Sequence, residues 1–214
     1  MGLPARGESK LPEVNSLRVK AAAWVGLAVA LVVLCRYDGV LSGILTSRDD
    51  FGEAAGLAGY WMGHGLVQGI LLLVVLGIGY QAHLERWWSA AKQGLWAFAV
   101  SGLLVQVVKY LVGRPRPRLW AEGINHWGPT LDSGFNSFPS GHTATSMAVA
   151  LVLAFHFPRL GPVFLAGAAF VAASRVLGGS HFPTDILGGM ALGLAIGWAV
   201  VRFSNTALVQ RPGR

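Results

Sequence analysis

The 214-residue chain is poor in charge and in cysteine. Charged residues make up only 13% of it, whereas an ordinary soluble domain has about 25%. Its single cysteine, Cys35, excludes a disulfide framework within the chain. Hydrophobic residues, by contrast, reach 53% and are gathered in long apolar runs. This composition indicates an integral membrane protein.

Six apolar runs are each close to the roughly 20 residues that a helix needs to cross a bilayer. They cover residues 19–35, 60–80, 93–112, 141–157, 162–177 and 184–203. Helices satisfy their own backbone groups inside lipid. Arg18 and Lys20 flank the start of the first run as in a signal peptide, but no Ala-x-Ala cleavage site follows. We therefore predict an all-α, polytopic membrane protein with six transmembrane helices.

The distribution of Lys and Arg sets the expected orientation. If the N-terminus is cytoplasmic, ten of the 17 Lys and Arg residues lie on the cytoplasmic side, as the positive-inside rule favours. Both termini are then cytoplasmic, with tails at 1–18 and 204–214 and a membrane domain at 19–203. The expected location is a plasma membrane, in particular a bacterial inner membrane. Nothing in the net charge of +7 resembles a nucleic-acid groove.

Three polar stretches fall on the external side in this topology. Residues 109–118 end the third run, residues 139–142 begin the fourth, and residues 174–185 join the fifth to the sixth. Their ionisable residues are Lys109, Arg114, Arg116, Arg118, His142, Arg175, His181 and Asp185. Three separate helix ends therefore present charge at one membrane face, which indicates a functional site on the periplasmic or external side.

The basic residues of these stretches fit an anion site. Arg116 offers a planar fork to two phosphate oxygens, and Lys109 offers a point charge. Ser140 suits the N-cap of a helix, and Gly141 permits close backbone approach to an anion held by the free N–H groups and the helix dipole. The alternative is that Lys109 and the arginines snorkel to lipid headgroups.

His181 and Asp185 are four residues apart, so on a helix they share a face. A carboxylate bonded to one ring nitrogen fixes the tautomer and makes the other nitrogen a better nucleophile. Asp185 can at the same time act as a dipole cap for the sixth helix. A metal site is disfavoured, because the nearby Lys and Arg would repel a divalent cation and the paired carboxylates of a two-metal site are missing.

The three stretches together match a known signature in residue type and in spacing. They contain Lys109, six residues, Arg116 and Pro117; then Pro139, Ser140, Gly141 and His142; then Ser174, Arg175, five residues, His181, three residues and Asp185. This arrangement resembles the type-2 phosphatidate phosphatase superfamily, which includes bacterial phosphatidylglycerophosphatase B, undecaprenyl-diphosphate phosphatases, lipid A phosphatases and vanadium haloperoxidases. The last are disfavoured because they have no need for six membrane spans.

The resemblance implies a role for each residue. His181 would be the nucleophile that takes the phosphoryl group, and Asp185 would orient it. His142 would protonate the leaving alkoxide and then activate water. The phosphoryl oxygens would be held by Lys109, Arg116, Ser140, Gly141 and Arg175. Neither a metal nor another cofactor is implied.

The expected activity is metal-independent hydrolysis of a lipid phosphate monoester or diphosphate through a phosphohistidine, as part of phospholipid metabolism. Candidate substrates are phosphatidate, phosphatidylglycerophosphate, undecaprenyl diphosphate and lipid A. Two alternatives stay open, namely a phosphotransferase that uses the same phosphohistidine and a non-catalytic protein that binds or transports anionic lipids. The external segment 36–59 is either a short helix that covers the site or an ordinary connector.

Overall fold

The computed structural model describes residues 25, 26, 29, 33–47 and 49–209, with side chains as far as residue 204. The chain divides into two compact units, Met1–Tyr37 and Asp38–Arg214. In the first unit, residues 33–37 are helical. The predicted tail at 1–18 and much of the first apolar run lie outside the described residues.

The regular structure of the second unit is helical, and its described residues include no β-strand. A helical segment at 38–45 comes first. The helices that follow are α1 (Asp50–Gly63), α2 (Gly65–Gln81), α3 (Glu85–Val112), α4 (Pro117–Ala121), α5 (Gly141–His156), α6 (Gly161–Leu177) and α7 (Pro183–Val209), with a 3-10 turn at Ser133–Phe135 between α4 and α5. The predicted all-α class is confirmed. α7 continues past the predicted end at residue 203, because no glycine or proline interrupts the chain before Pro212.

Two stretches of the described chain are long and apolar enough to cross a bilayer, Glu85–Ala121 and Pro183–Ser204. α1 and α2, which meet at a bend of 47°, make a third if the pair is one span. α5 and α6 have only 16 and 17 residues. Length and composition thus give two or three candidate spans, and the full set of six stays a prediction.

The predicted second apolar run contains a break at His64. The extended backbone of His64 (φ −68°, ψ 125°) ends α1 and precedes α2, so residues 60–63 belong to α1. Asp49 is the N-cap of α1, and its carboxylate accepts a hydrogen bond of 2.8 Å from the N–H of Gly52. Most of the external segment is therefore helical, and α1 packs against α6.

α5 lies at the centre of the bundle. It packs against α3, α6 and α7, and its residues 143–150 are all buried. Most of these side chains are small (Thr, Ala, Ser), so three neighbouring helices can approach at once. The first turn of α5, which carries Gly141 and His142, is fixed by this packing.

α7 contacts α5 through glycines spaced four residues apart. A Cβ atom on Gly189 or Gly197 would lie 2.7 or 2.8 Å from a carbonyl oxygen of α5, and one on Gly193 would overlap a carbonyl oxygen outright. Those oxygens belong to Ser140, Ala148 and Ala144 respectively. This close approach is typical of small-residue packing between membrane helices, and it brings the start of α7 beside the start of α5.

We expect Gly193→Ala to destabilise the fold by about 1–3 kcal/mol, because the new methyl group must push two helix backbones apart. Gly77→Ala on α2 is the matched control, since a Cβ there meets nothing within 4 Å. In a helix interior that change should be neutral or stabilising by up to about 1 kcal/mol. Thermal unfolding in detergent measures both, and equal midpoints would contradict the packing described here.

Candidate active site

A cavity of about 410 Å³ gathers residues from all three polar stretches. Six of the eight predicted site residues line it, namely Lys109, Arg116, Gly141, His142, Arg175 and His181. They come from the last turn of α3, the start of α4, the first turn of α5, the last turn of α6 and the loop before α7. The other two, Ser140 and Asp185, are fully buried and are next to lining residues.

Three cations meet at this cavity. Lys109 is 9% exposed. Arg116 Nε donates to Asn136 Oδ1 at 2.8 Å. The Arg175 guanidinium donates to the Gly56 carbonyl oxygen. The lining residues that the structure describes include no carboxylate. Partly desolvated positive charge without a lining anion favours a negatively charged ligand.

The Asp185 carboxylate is held by four donors. Arg114 Nη1 donates to Oδ1 at 2.6 Å. Ser137 Oγ and the Phe182 N–H donate to Oδ2 at 2.5 and 2.9 Å. His181 Nδ1 lies 3.3 Å from Oδ2. An ionised carboxylate accepts from all of these groups, so Asp185 orients the His181 ring with the proton on Nδ1 and leaves a lone pair on Nε2.

His181 lies in the loop before α7 and is only 3% exposed. Burial lowers the pKa of its imidazole below the usual value. The hydrogen bond and charge of Asp185 oppose this shift, while the positive charges of Lys109 and Arg116 add to it. The lowered pKa favours the neutral imidazole, which is the nucleophilic form of a histidine.

The His142 side chain lines the cavity from the first turn of α5. Its Nε2 is buried and has no hydrogen-bond partner among the described residues. The centre of the His142 ring lies 5.4 Å from the centre of the Tyr60 ring and 6.4 Å from that of the His64 ring. A buried nitrogen without a partner is costly, and a ligand in the cavity would supply one. His64 itself is not a lining residue.

Ser140 occupies the N-cap of α5, as predicted, but its side chain caps no backbone N–H. Its hydroxyl accepts a hydrogen bond from Thr143 Oγ1 at 3.0 Å, and its N–H donates to the Asp185 carbonyl at 3.0 Å. Its neighbours Gly141 and His142 line the cavity, whereas Ser140 does not. Ser140 instead ties the start of α5 to the start of α7.

α1 contributes one side of the site, which the sequence left open. Its Gly56 carbonyl accepts from Arg175, and the Arg175 guanidinium lies 5.6 Å from the centre of the Tyr60 ring. Gly63 packs on His142, since a Cβ there would lie 2.9 Å from the imidazole Cδ2. The segment is thus more than a connector, and its glycine spacing at residues 52, 56, 59 and 63 was the available signal.

Asp38, Arg114 and Ser137 are also absent from the predicted site, yet all three are buried beside it. Arg114 was visible in the sequence only as one cation of a cluster. It contacts Asp38 and Asp185 at 2.7 and 2.6 Å. The signal for Asp38 was weak, because one acidic residue shortly after an apolar run is equally typical of a loop.

Comparison with known proteins gives relatives that are named lipid phosphatases. The chain is 39% identical over 95 residues to lipid A 1-phosphatase of Rhizobium johnstonii, covering 44% of this chain and 39% of the relative. It is 33% identical over 145 residues to phosphatidylglycerophosphatase B of Bacillus subtilis, covering 63% of this chain and 66% of the relative. The chain spans less than half the length of the lipid A 1-phosphatases that it matches.

A solved structure shares the fold. It is the crystal structure of a transmembrane PAP2-type phosphatidylglycerolphosphate phosphatase from Bacillus subtilis, with a TM-score of 0.55 at 24% identity over 89% of this chain and 98% of that one. The likeness shows the fold, and the apolar stretches Glu85–Ala121 and Pro183–Ser204 indicate a membrane protein. The model of the PAP2 superfamily matches residues 91–208, a range that holds more than half of the chain and all eight predicted site residues. The chain therefore belongs to the PAP2 superfamily, as its three polar stretches predicted.

Proposed function

We propose that this protein is a membrane-embedded phosphatase that hydrolyses a lipid phosphate monoester or diphosphate through a phosphohistidine. The observation that carries the proposal is one cavity in which three cations face two histidines, of which one is bonded to a buried carboxylate. Such a set supplies charge stabilisation, a nucleophile and a proton donor in the same place.

In the first step, His181 Nε2 attacks phosphorus, so that a P–N bond forms while the P–O bond to the lipid breaks. His142 in its protonated form gives a proton to the departing oxygen and becomes neutral. In the second step, a water molecule attacks the phosphohistidine, His142 takes its proton, and the P–N bond breaks to release phosphate. Asp185 holds Nδ1–H of His181 throughout, which stabilises the positive charge that the ring carries in the intermediate.

Lys109, Arg116 and Arg175 would hold the phosphoryl oxygens, whose negative charge is spread over the transition state. Gly141 would offer its backbone N–H at the start of α5, where the helix dipole also favours an anion. Ser140 stays a predicted phosphate ligand. Its hydroxyl would have to turn away from Thr143 to take part.

The proposed chemistry uses no metal. Among the described residues, no group of three or more His, Cys, Asp or Glu side chains is placed to hold a metal ion. The cations that line the cavity would also repel a divalent cation. The charge that a metal would supply to a phosphoryl group comes here from Lys and Arg.

We further propose that the chain crosses a plasma membrane six times, with both termini cytoplasmic and the cavity on the external face. Support comes from the Lys and Arg distribution and from large apolar side chains exposed along α2 and α3, such as Leu66, Leu71 and Leu103. The relatives' names make lipid A and phosphatidylglycerophosphate the first substrates to test, beside phosphatidate and undecaprenyl diphosphate. A phosphotransferase would use the same residues, with a lipid or sugar hydroxyl in place of water.

Phosphate release tests the proposal directly. We expect the protein in detergent with excess chelator to release phosphate from at least one of these lipids, and His181→Ala to lower the rate by about 10³-fold or more, because the nucleophile is lost. His126→Ala is the control, since that exposed loop histidine packs on Phe135 away from the cavity. Activity that chelator abolishes, or that His181→Ala retains, would refute this mechanism.

Anion binding can be tested without turnover. Inorganic phosphate should raise the thermal midpoint of the wild type, since a ligand that binds only the folded state stabilises it by about 2.7 kcal/mol at 100 times Kd. Lys109→Met should shrink this shift. Lys92→Met should leave it intact, because Lys92 stacks on Trp88 outside the cavity lining. Equal shifts for the two variants would argue against Lys109 as a phosphate ligand.

The lowered pKa of His181 predicts the acid side of the pH profile. A histidine with an ordinary pKa of about 6.5 would be half protonated, and so half inactive as a nucleophile, at that pH. His181 should stay neutral there, so kcat/KM should fall only at more acidic pH. Two substrates with different phosphate ionisation would be compared, so that the limb common to both belongs to the enzyme. A common limb at or above pH 6.5 would contradict the expectation.

A further inference from the structure

A line of buried charge leads away from His181, beyond the residues that the proposed mechanism uses. His181 forms a hydrogen bond with the Asp185 carboxylate. Asp185 in turn forms an ion pair of 2.6 Å with Arg114, and Arg114 forms one of 2.7 Å with Asp38. Asp38 and Arg114 are each 1% exposed and Asp185 is 0% exposed. Neither Asp38 nor Arg114 lines the cavity, so neither is placed to touch a ligand there.

Arg114 is fixed in orientation as well as in position. Its Nη1 donates to Asp185 Oδ1 and to Thr184 Oγ1, and its Nη2 donates to Asp38 Oδ2. The guanidinium also lies 5.0 and 4.2 Å from the ring centres of Trp127 and Phe182. Hydrogen bonds from both terminal nitrogens and the two nearby aromatic rings restrict rotation of this planar fork. It therefore holds Oδ1 of Asp185 and leaves Oδ2 for His181.

Asp38 completes the charge balance of this line. Without it, the Arg114 cation would compete with the positive charge forming on His181 for the one carboxylate of Asp185. With it, two carboxylates and one guanidinium keep one net negative charge beside the histidine. Asp38 also accepts hydrogen bonds from the N–H and the hydroxyl of Thr184, the residue before Asp185. It thereby fixes the first turn of α7.

Asp38 lies outside the part of the chain that the family model covers, which begins at residue 91. It comes from the helical segment at 38–45, whereas Arg114 follows the end of α3. The segment before α1 thus supplies an acid to the back of the site.

We propose that Asp38 and Arg114 are positioning residues, which act on the nucleophile His181 through Asp185. The inference rests on the proposed phosphatase function. The proposal predicts that changes at these residues alter kcat but not substrate binding, because neither residue reaches the cavity. Loss of the Asp38 charge should lower kcat by about 10- to 100-fold, as loss of outer partners does in other sites, and should leave KM within about twofold. Asp38→Glu, which keeps the charge, should recover part of the rate.

The test assays four single variants and one double variant beside wild type on the best lipid substrate. They are Asp38→Asn, Asp38→Glu, Arg114→Lys, Arg114→Gln and the double variant Asp38→Asn/Arg114→Gln. Arg114→Lys keeps the charge but not the fork, so it cannot contact Asp38 and Asp185 together, and its kcat should fall. In the Arg114→Gln background, Asp38→Asn should cause little further loss, because the connection is already cut. Asp50→Asn is the control, since Asp50 is exposed in the first turn of α1.

The decisive readouts are kcat, KM and the shift in thermal midpoint caused by phosphate. A fall in kcat with KM and the phosphate shift unchanged supports the proposal. Wild-type kcat in folded Asp38→Asn, a loss confined to KM, or losses that add fully in the double variant would overturn it. If Asp38→Asn does not fold, the double variant takes its place, because it removes the buried pair as a neutral unit. A kcat close to that of Arg114→Gln then supports the proposal, and a kcat lower by the full expected effect of Asp38→Asn overturns it.

The experiments distinguish failure of the proposed phosphatase function from failure of the positioning role of Asp38 and Arg114. No phosphate release by wild type on any of the lipids would overturn the proposed function, and this inference with it. Release by wild type that His181→Ala abolishes and Asp38→Asn leaves unchanged would overturn this inference alone.

Discussion

The buried carboxylate of Asp185 is the constraint on which the site depends. A carboxylate without water is stable only if donors surround it, and here four donors come from three places in the chain: Arg114 after α3, Ser137 before α5, and His181 and Phe182 before α7. Meeting that demand draws the ends of three helices together. The arrangement that satisfies Asp185 also aims the His181 ring, so stability and orientation have the same cause.

Close packing of α5 against α7 makes this arrangement possible. Glycines 189, 193 and 197 bring the two backbones into contact. Where both helices begin, the Ser140 N–H donates a hydrogen bond to the Asp185 carbonyl. Two separate stretches of sequence, one with His142 and one with His181, are thereby held at a fixed separation. Residues that carry no chemistry thus set the distance between the two groups that do.

The sequence predicted which residues gather at the cavity better than it predicted the residues that surround them. Six of the eight expected residues line one cavity, since charged groups at several apolar helix ends leave a strong pattern. The hydroxyl of Ser140 faces Thr143 instead, because a capping preference does not determine which partner a buried side chain takes. The roles of Asp38 and α1 could not be predicted, because they arise from contacts between residues that are 76 to 146 positions apart in the sequence. The number of membrane spans was also harder to predict, because the break between α1 and α2 at His64 is not visible in the hydropathy of the sequence.

α1 has a consequence for how such proteins diversify. Through Gly56, Tyr60 and Gly63 it contacts Arg175 and His142, yet it lies before the region that the family model matches. One wall of the cavity is therefore encoded apart from the reactive groups. Mutation and recombination can reshape that wall while the reactive groups stay as they are, so new substrate preferences can evolve without the chemistry being invented again.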